Sequence, residues 1–309
     1  MTSLGFGASG PLSSWVFNNL GSDWIDSAPL QLGPEAGPLL EPTQIIVAGS
    51  SFFLAFGQLA RFKICFSDHT VTAFGVDEAV TQPDLEHFLR DHLVPRILAE
   101  EGRLVIHGSA VKIAGSLAVF IGESGAGKST LAASLHEAGH VLFGDDAVII
   151  DNHADIYTGQ STYRSLRLYP ETVSAVLGEK ADTTIMAHYS RKRRVVMGSS
   201  DVENAQIAPI GAVFILSDEP CEDAVRDHDL KPSEVCMAII KQSFALNSQN
   251  AELAAKRLSQ ASNLADAVPG YRLTYPHDYA RLREVRSVIE ARMDEAQKKA
   301  LSSHQSTVE

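Results

Sequence analysis

The sequence predicts a protein of the α/β to α+β class, and three features of its 309 residues predict it. Between residues 43 and 76, short apolar runs bounded by turn residues predict antiparallel strands. Beyond residue 103, strand-like and helix-like segments alternate, which is typical of a sheet covered by helices. Residues 278–296 place apolar side chains on one face of a charged helix. A chain of this length is sufficient for one large domain or two ordinary ones.

The N-terminal part divides into two predicted regions. Residues 1–42 mix Gly, Ser and Pro with isolated aromatic residues and follow neither a strand nor a helix period, which predicts an irregular leader. Residues 43–102 predict a small β-rich region followed by a helix that begins near Pro83, is kinked at Pro95 and ends at Gly102. We expect the alternating part, 103–296, to form the main domain, and 297–309 to be a polar, flexible tail.

Charge and cysteine content exclude several classes of protein. The net charge is −12, with 38 acidic and 26 basic residues, and a nucleic-acid-binding surface would need clustered basic residues. Cys65, Cys221 and Cys236 lie far apart and form no CxxC pair, so neither zinc nor a disulfide framework is expected. No apolar run approaches the roughly 20 residues that cross a bilayer, and the N-terminus does not resemble a signal peptide. We expect a cytoplasmic protein with neither nucleic acid nor membrane as a partner.

Residues 116–130, SLAVFIGESGAGKST, contain the most informative motif. Gly122, Gly127, Lys128 and Ser129 satisfy GxxxxGK[ST], which follows a predicted buried strand and opens a predicted helix. Glycines let successive backbone N–H groups turn inward, and the helix N-terminus adds a partial positive charge, so such a P-loop holds a polyphosphate. Lys128 would neutralise the β and γ phosphates and Ser129 would ligate Mg²⁺. The predicted cradle also includes Ser124, Gly125, Ala126 and Thr130.

The alternative for this stretch is an ordinary glycine-rich turn with a surface lysine. Average residue usage predicts the four fixed positions by chance in roughly 1% of chains of this length. The flanking strand and helix reduce that chance further, so the nucleotide interpretation is favoured.

Two acidic residues follow the next predicted strand. Asp145 and Asp146 lie at the end of VLFG, 17 residues beyond Lys128. One carboxylate there can hold Mg²⁺ while the other takes a proton from an attacking hydroxyl, and a solvated turn is the alternative. His107 ends an apolar strand before the P-loop strand, where both a structural and a functional role are open. For Ser109 we expect packing.

Arginines supply the remaining candidate residues. The run RKRR at 191–194 stands out against the acidic background, and Arg164 and Arg167 lie in another strand-like segment. Guanidinium groups suit phosphate and carboxylate, so Arg164, Arg167, Arg193 and Arg194 are predicted to contact ATP or the acidic part of an acceptor. A solvated loop is the alternative for the run.

The segments HGSAV, GESGAGKST and AGHVLFGDDAV, in this order, resemble the kinase domain of bacterial HPr serine kinase/phosphorylases. The resemblance is specific over residues 104–150. Further along, LRLYPETVSAVLG and SRKRRV are similar to the HPr kinase-related proteins found with lasso-peptide and related peptide-modification genes. The resemblance implies the fold shared with phosphoenolpyruvate carboxykinase, in which a P-loop kinase core lies on a mixed sheet.

The resemblance also implies a function. It predicts an ATP- and Mg²⁺-dependent kinase that phosphorylates a serine or similar hydroxyl of a peptide or small protein. Lys128 and Ser129 would bind phosphate and Mg²⁺, Asp145 would act as the base, Asp146 would be associated with the metal, and His107 would assist near the γ phosphate.

Two departures from the family and three alternatives accompany this prediction. Thr130 stands where HPr kinases usually have an acid, and the downstream signature for phosphorolysis is not recognisable, so neither phosphorylase activity nor HPr as substrate is predicted. A small-molecule kinase on the same core and a non-catalytic ATP-binding interaction module remain alternatives. A homo-oligomer is an open alternative to a monomer.

Overall fold

The computed structural model describes residues 12–23, 25, 42, 44–154, 156–161, 165–179, 181–188, 190–195, 207–219 and 224–305. Within these ranges, no helix combines the length and the apolar character that crossing a bilayer requires. The chain divides into two compact units, the first made of Met1–Val94 with Met186–Ser190 and the second of Pro95–Ile185 with Arg191–Glu309.

The first unit contains a five-stranded sheet in the order β1-β5-β4-β3-β2. Its strands are β1 (Val16–Asn19), β2 (Gln44–Ala48), β3 (Ser51–Phe56), β4 (Ala60–Cys65) and β5 (Thr70–Phe74). Strands β2 to β5 form an antiparallel meander, which confirms the strands predicted from the apolar runs. Strand β1 pairs in parallel with β5 and lies within the stretch predicted to be irregular. A four-residue strand paired with a distant segment leaves no local period to detect.

Residues 82–100 form one helical run, as predicted. It consists of α1 (Gln82–His87), a π-helical turn (Phe88–Leu93) and α2 (Val94–Glu100). Pro95 has no backbone N–H to continue the α-helical pattern, and the wider π turn directly precedes it. The predicted inward face is confirmed, because its residues are all buried: Leu85, Phe88, Leu89, Val94, Ile97 and Leu98.

The second unit contains the remaining strands. In chain order they are β6 (Leu104–Ile106), β7 (Ser109–Ile113), β8 (Ser116–Ile121), β9 (Val141–Gly144), β10 (Val148–His153), β11 (Ile156–Ser161), β12 (Leu166–Leu168), β13 (Thr183–Ile185), β14 (Arg193–Val195), β15 (Ile207–Leu216), β16 (Arg226–Asp229) and β17 (Gly270–Thr274). Nine of them form one sheet with the path β6-β10-β11-β15-β8-β7-β9, in which β17 pairs with β15 and β16. Strands β8 and β17 run parallel to β15, and β11 runs antiparallel to it. The sheet is therefore mixed, as predicted, and β12, β14 and β13 form a separate small sheet.

Helices cover both faces of the large sheet. They are α3 (Lys128–Glu137), α4 (Pro170–Thr172) with a π turn (Val173–Leu177), α5 (Pro232–Lys241), α6 (Ala251–Ala267), and α7 (Leu282–Gln305) after a 3₁₀ turn (Tyr279–Arg281). Helix α7 extends into the stretch predicted as a flexible tail, because lysine, alanine and leucine there favour helix and Glu295 pairs with Lys299 one turn on.

Strand β8 is buried on both faces. Ala118 and Phe120 belong to a core cluster with α3 and α7, while Val119 and Ile121 belong to a second cluster with α5 and α6. A strand that is buried on both faces has apolar residues at nearly every position, which explains the unbroken apolar sequence LAVFI in this strand. The loop after β8 therefore starts from a rigid, central position.

Candidate phosphate-binding and catalytic site

The P-loop connects β8 to α3. Gly122, Gly125 and Gly127 have φ angles of 154°, 89° and 95°, in the region that favours glycine. A Cβ at Gly127 would collide with the hydroxyl of Tyr275, and one at Gly122 would lie 3.0 Å from the Leu216 carbonyl oxygen. Helix α3 has no side-chain cap in the described part of the chain, so its first amides are free to bind an anion.

Tyr275 stabilises the loop through a hydrogen bond. It follows β17, is buried, and its hydroxyl donates a hydrogen bond to the Ala126 carbonyl over 3.1 Å. Burial raises the pKa of Tyr275, so the hydroxyl keeps its proton. Sequence reasoning missed this residue, because the contact depends on the pairing of β17 with β15 and has no local signal.

Lys128 lies inside the curve of the loop and is only 7% exposed. Its Nζ donates to the carbonyl oxygens of Gly122 at 2.7 Å and Glu123 at 3.0 Å. Burial lowers the pKa of Lys128 to about 8, against the opposing effect of the Asp145 carboxylate. An ammonium held here can neutralise a phosphate that enters the cradle.

Asp145 has donors on both carboxylate oxygens. Its Oδ1 accepts from Ser109 Oγ at 2.5 Å and Ser129 Oγ at 3.0 Å, and its Oδ2 accepts from the Arg167 backbone N–H at 3.2 Å. The expectation that Ser109 only packs was wrong, because this buried hydroxyl orients the carboxylate. The predicted Mg²⁺ ligand Ser129 thus lies beside Asp145.

The donor set fits a partly hydrated Mg²⁺. No group of three or more His, Cys, Asp or Glu side chains among the described residues could hold a metal by itself. Mg²⁺ at nucleotide sites keeps several waters and takes phosphate oxygens, so the protein supplies only one or two oxygens. The Ser129 hydroxyl and the Asp145 carboxylate match that requirement.

Asp146 differs from its neighbour in its contacts. Its carboxylate forms an ion pair with the guanidinium of Arg167, which is buried. Its φ of 71° lies in the left-handed region, which non-glycine residues seldom adopt and which Asp tolerates better than most. We call Asp145 and Asp146 together the acidic turn.

His107 follows β6 and contacts the acidic turn. Its Nδ1 lies 3.0 Å from the Asp146 carbonyl oxygen, and since a carbonyl only accepts, Nδ1 is the donor and Nε2 carries the lone pair. Burial, and then the charge of Lys128, lower the pKa of His107 to about 3. The imidazole is therefore neutral near pH 7 and acts through hydrogen bonds.

The structure brings only some of the predicted arginines together. Arg194 lies directly opposite Arg167 where β14 pairs with β12, so the two share a face of the small sheet. Arg193 lies opposite Leu168 and points to the other face. Arg164 lies outside the described residues.

Lys192 is the member of the basic run that sequence reasoning did not single out. Burial is the main cause of the lowered pKa values of His107 and Lys128, and the charge of Lys192 adds to it in both. Arg191 instead forms an exposed ion pair with Glu171. The sequence could not show which of the four basic residues lies nearest the site, because all four are charged and the geometry of the turn before β14 determines which side chain approaches it.

Comparisons with known proteins find sequence matches over short stretches of the chain. No family model matches the chain. The HPr kinase/phosphorylase of Mycoplasmopsis pulmonis is 38% identical over 61 residues, which is 20% of each chain. That of Caldicellulosiruptor bescii is 42% identical over 67 residues, 22% of this chain and 19% of the relative. Over these stretches, the chain is similar to HPr kinase/phosphorylases. The matches span about a fifth of the length of these curated relatives.

A solved structure gives a weaker comparison. The HPr(Ser) kinase/phosphatase from Coxiella burnetii aligns with 66% of this chain and 96% of its own, at 13% identity and a TM-score of 0.33. The predicted resemblance to HPr kinase/phosphorylases is confirmed by the sequence matches, and the link to lasso-peptide genes stays a prediction.

Proposed function

We propose that this protein is a kinase of the HPr kinase type, which uses ATP and Mg²⁺ to phosphorylate a serine or similar hydroxyl of a peptide or small protein. The observation that carries the proposal is the contact of Ser129 with Asp145 at the uncapped start of α3. A P-loop serine joined to a strand-end carboxylate is the arrangement that Mg-nucleotide sites require. A precursor peptide of the lasso type is one candidate acceptor. The proposed core is the HPr kinase/phosphoenolpyruvate carboxykinase type over residues 103–296.

The P-loop would bind the donor. Amides from Gly122 to Thr130 would hold the phosphate oxygens, and Lys128 would leave its carbonyl partners to neutralise the β and γ phosphates. Ser129 and one Asp145 oxygen would hold Mg²⁺, which when bound neutralises charge on the transferring group. Tyr275 keeps the loop in this shape through Ala126.

The contacts favour an exchange of the two acidic roles expected from the family resemblance. Asp145 is the carboxylate beside Ser129, so it is the better metal ligand. Asp146 is then the carboxylate left to take the proton, and Arg167 holds it in place. The acceptor oxygen would form a bond to the γ phosphorus with ADP as leaving group, and its proton would pass to Asp146.

Two matched variants separate these roles. We expect Asp146→Asn to keep Mg-ATP affinity and to lose transfer by about 10²-fold or more, because only proton removal is lost. Asp145→Asn should weaken the dependence of ATP binding on Mg²⁺, because a metal oxygen is replaced by an amide. Calorimetry with and without Mg²⁺ measures binding, and mass spectrometry of candidate peptides after incubation with Mg-ATP measures transfer. Unimpaired transfer by Asp146→Asn would refute its role as base.

A second experiment tests the acceptor class. Labelled ATP is incubated with the protein and a cell extract, and the protein and metabolite fractions are separated. We expect label in peptides or proteins. Label confined to small molecules would exclude a peptide acceptor and favour a small-molecule kinase.

A further inference from the structure

A cavity of about 650 Å³ opens beside the first residues of the P-loop. Its walls come from the ends of β8 and β15, from β17 and from helix α5. One wall is apolar, with Met237, Ala238 and Ile240 on α5 facing Ile215 on β15. The volume lies within the range of sites that enclose a ligand of drug size, and it would also hold a few side chains of a peptide.

The position of Lys128 indicates which end of the donor faces the cavity. The lysine of a P-loop reaches the β and γ phosphates. Its Nζ contacts the carbonyls of Gly122 and Glu123, and both residues line the cavity. Gln242 also lines it, and its carbonyl accepts from the His107 amide at 2.7 Å. The cavity therefore opens where an acceptor would approach the γ phosphate.

Most of the charged side chains that line the cavity already form an ion pair or a hydrogen bond within the protein. Lys241 forms an ion pair of 2.6 Å with Glu123. Glu234 accepts a hydrogen bond from the Lys231 amide at the start of α5. Asp218 is exposed near Lys241, where it contributes, after Glu123, to the raised pKa of that lysine.

Arg272 differs from these side chains in that part of its charged group is buried. It lies on β17 and lines the cavity, and its Nε is buried without a hydrogen-bond partner in the described part of the chain. No acid among the described residues pairs with its guanidinium. The residue as a whole is only partly buried, so a carboxylate that enters the cavity can pair with the rest of the guanidinium.

We propose that the cavity binds the segment of an acceptor peptide that carries the phosphorylated hydroxyl, and that Arg272 binds an acidic side chain of this segment. The inference rests on the proposed kinase function. The apolar wall packs a neighbouring side chain of the peptide, and Met237, 64% exposed, supplies an adaptable surface for it. Arg272 is thus a residue that determines specificity and takes no part in the chemistry.

The test uses a library of short synthetic peptides, each with one central serine and randomised flanking positions, incubated with labelled Mg-ATP. Wild-type protein should prefer Asp or Glu at one flanking position by about tenfold or more, the effect of one charged hydrogen bond. Arg272→Gln should lose this preference, and Arg272→Glu should replace it with one for Lys or Arg. The matched control is Arg226→Gln, an exposed arginine of β16 that does not line the cavity, and it should behave as wild type.

A pair of bulky variants tests the cavity itself without removing a charge. Ala238→Trp would fill the space beside α5, so the KM for peptide should rise about tenfold while the KM for ATP stays unchanged. Leu258→Trp adds the same bulk at an exposed position of α6 and should change neither constant.

The outcomes separate this inference from the proposed function. Phosphorylation that requires Lys128 but shows no acidic preference, or an unchanged preference in Arg272→Glu, overturns the inference and leaves the kinase function intact. An unchanged peptide KM in Ala238→Trp overturns it as well. If no peptide is phosphorylated in a Lys128-dependent way, the inference is wrong, and the extract experiment decides the proposed function separately.

Discussion

The acidic turn and Arg272, on the two sides of the P-loop, differ in whether their charged groups have an ion-pair or hydrogen-bond partner in the described chain. At the acidic turn, Asp145 accepts three hydrogen bonds and Asp146 pairs with Arg167. At the cavity, the Arg272 Nε has no partner within the described chain. Groups held by their neighbours are preorganised for chemistry that does not vary with the acceptor. A hydrogen-bond donor that has no partner within the protein is suited to bind a ligand that supplies a hydrogen-bond acceptor.

Among the variants that test this comparison, Lys128→Ala should reduce phosphoryl transfer most, because Lys128 lies between the two sides. We expect loss of transfer by about 10³-fold for every acceptor, since a preorganised charge beside the γ phosphate is removed. Initial rates with a fixed acceptor peptide measure it. Lys112→Ala, at the far end of β7, is the matched control and should retain activity. A variant at position 128 that altered only acceptor preference would contradict the division between the two sides.

The next largest effect should be a loss of ATP affinity at alkaline pH. Lys128 in the free protein has a pKa of about 8, so it is charged below that pH and loses its charge above it. ATP affinity should therefore be constant below about pH 7 and fall about tenfold per unit well above the pKa. Calorimetry across this range measures it.

Two features of that titration check its assignment. Lys128→Arg, whose guanidinium stays charged throughout, should remove the alkaline fall. With a pKa of about 3, His107 should add no inflection between about pH 5 and about pH 7. An inflection there would show that the imidazole is not held neutral.

Tyr275→Phe should have the smallest effect. It removes the hydrogen bond to Ala126 and leaves the ring in place, so the loop loses about 1 kcal/mol of support. The KM for ATP should rise about fivefold while peptide preference stays unchanged. Tyr157→Phe on β11 serves as the control. A change in peptide preference for Tyr275→Phe would show that the loop and the cavity are not independent.

Local sequence patterns predicted most of the elements that carry the site. The apolar run before Gly122, the helix after Gly127 and the strand that ends before Asp145 all lie where they were predicted. Each depends on neighbouring residues, whose period and turn chemistry are visible in one window of sequence. The roles of the candidate residues remain predictions.

Contacts between distant segments were missed or misread. Ser109 bonds to Asp145, Tyr275 supports Ala126, and Lys192 influences Lys128. Strand β1 was missed for the same reason. None of these has a local signature, because strand order and helix packing determine which side chains meet.

The sequence by itself determined that a glycine-rich loop starts at Gly122, that an acidic pair follows it, and that helices alternate with strands around both. Only the tertiary structure decided that Asp145 touches Ser129 while Asp146 pairs with Arg167, and that Arg272 faces a cavity beside the loop. The reason is physical. Local conformation depends on residues a few positions apart, whereas the partner of a side chain depends on how sheets and helices bring remote residues together.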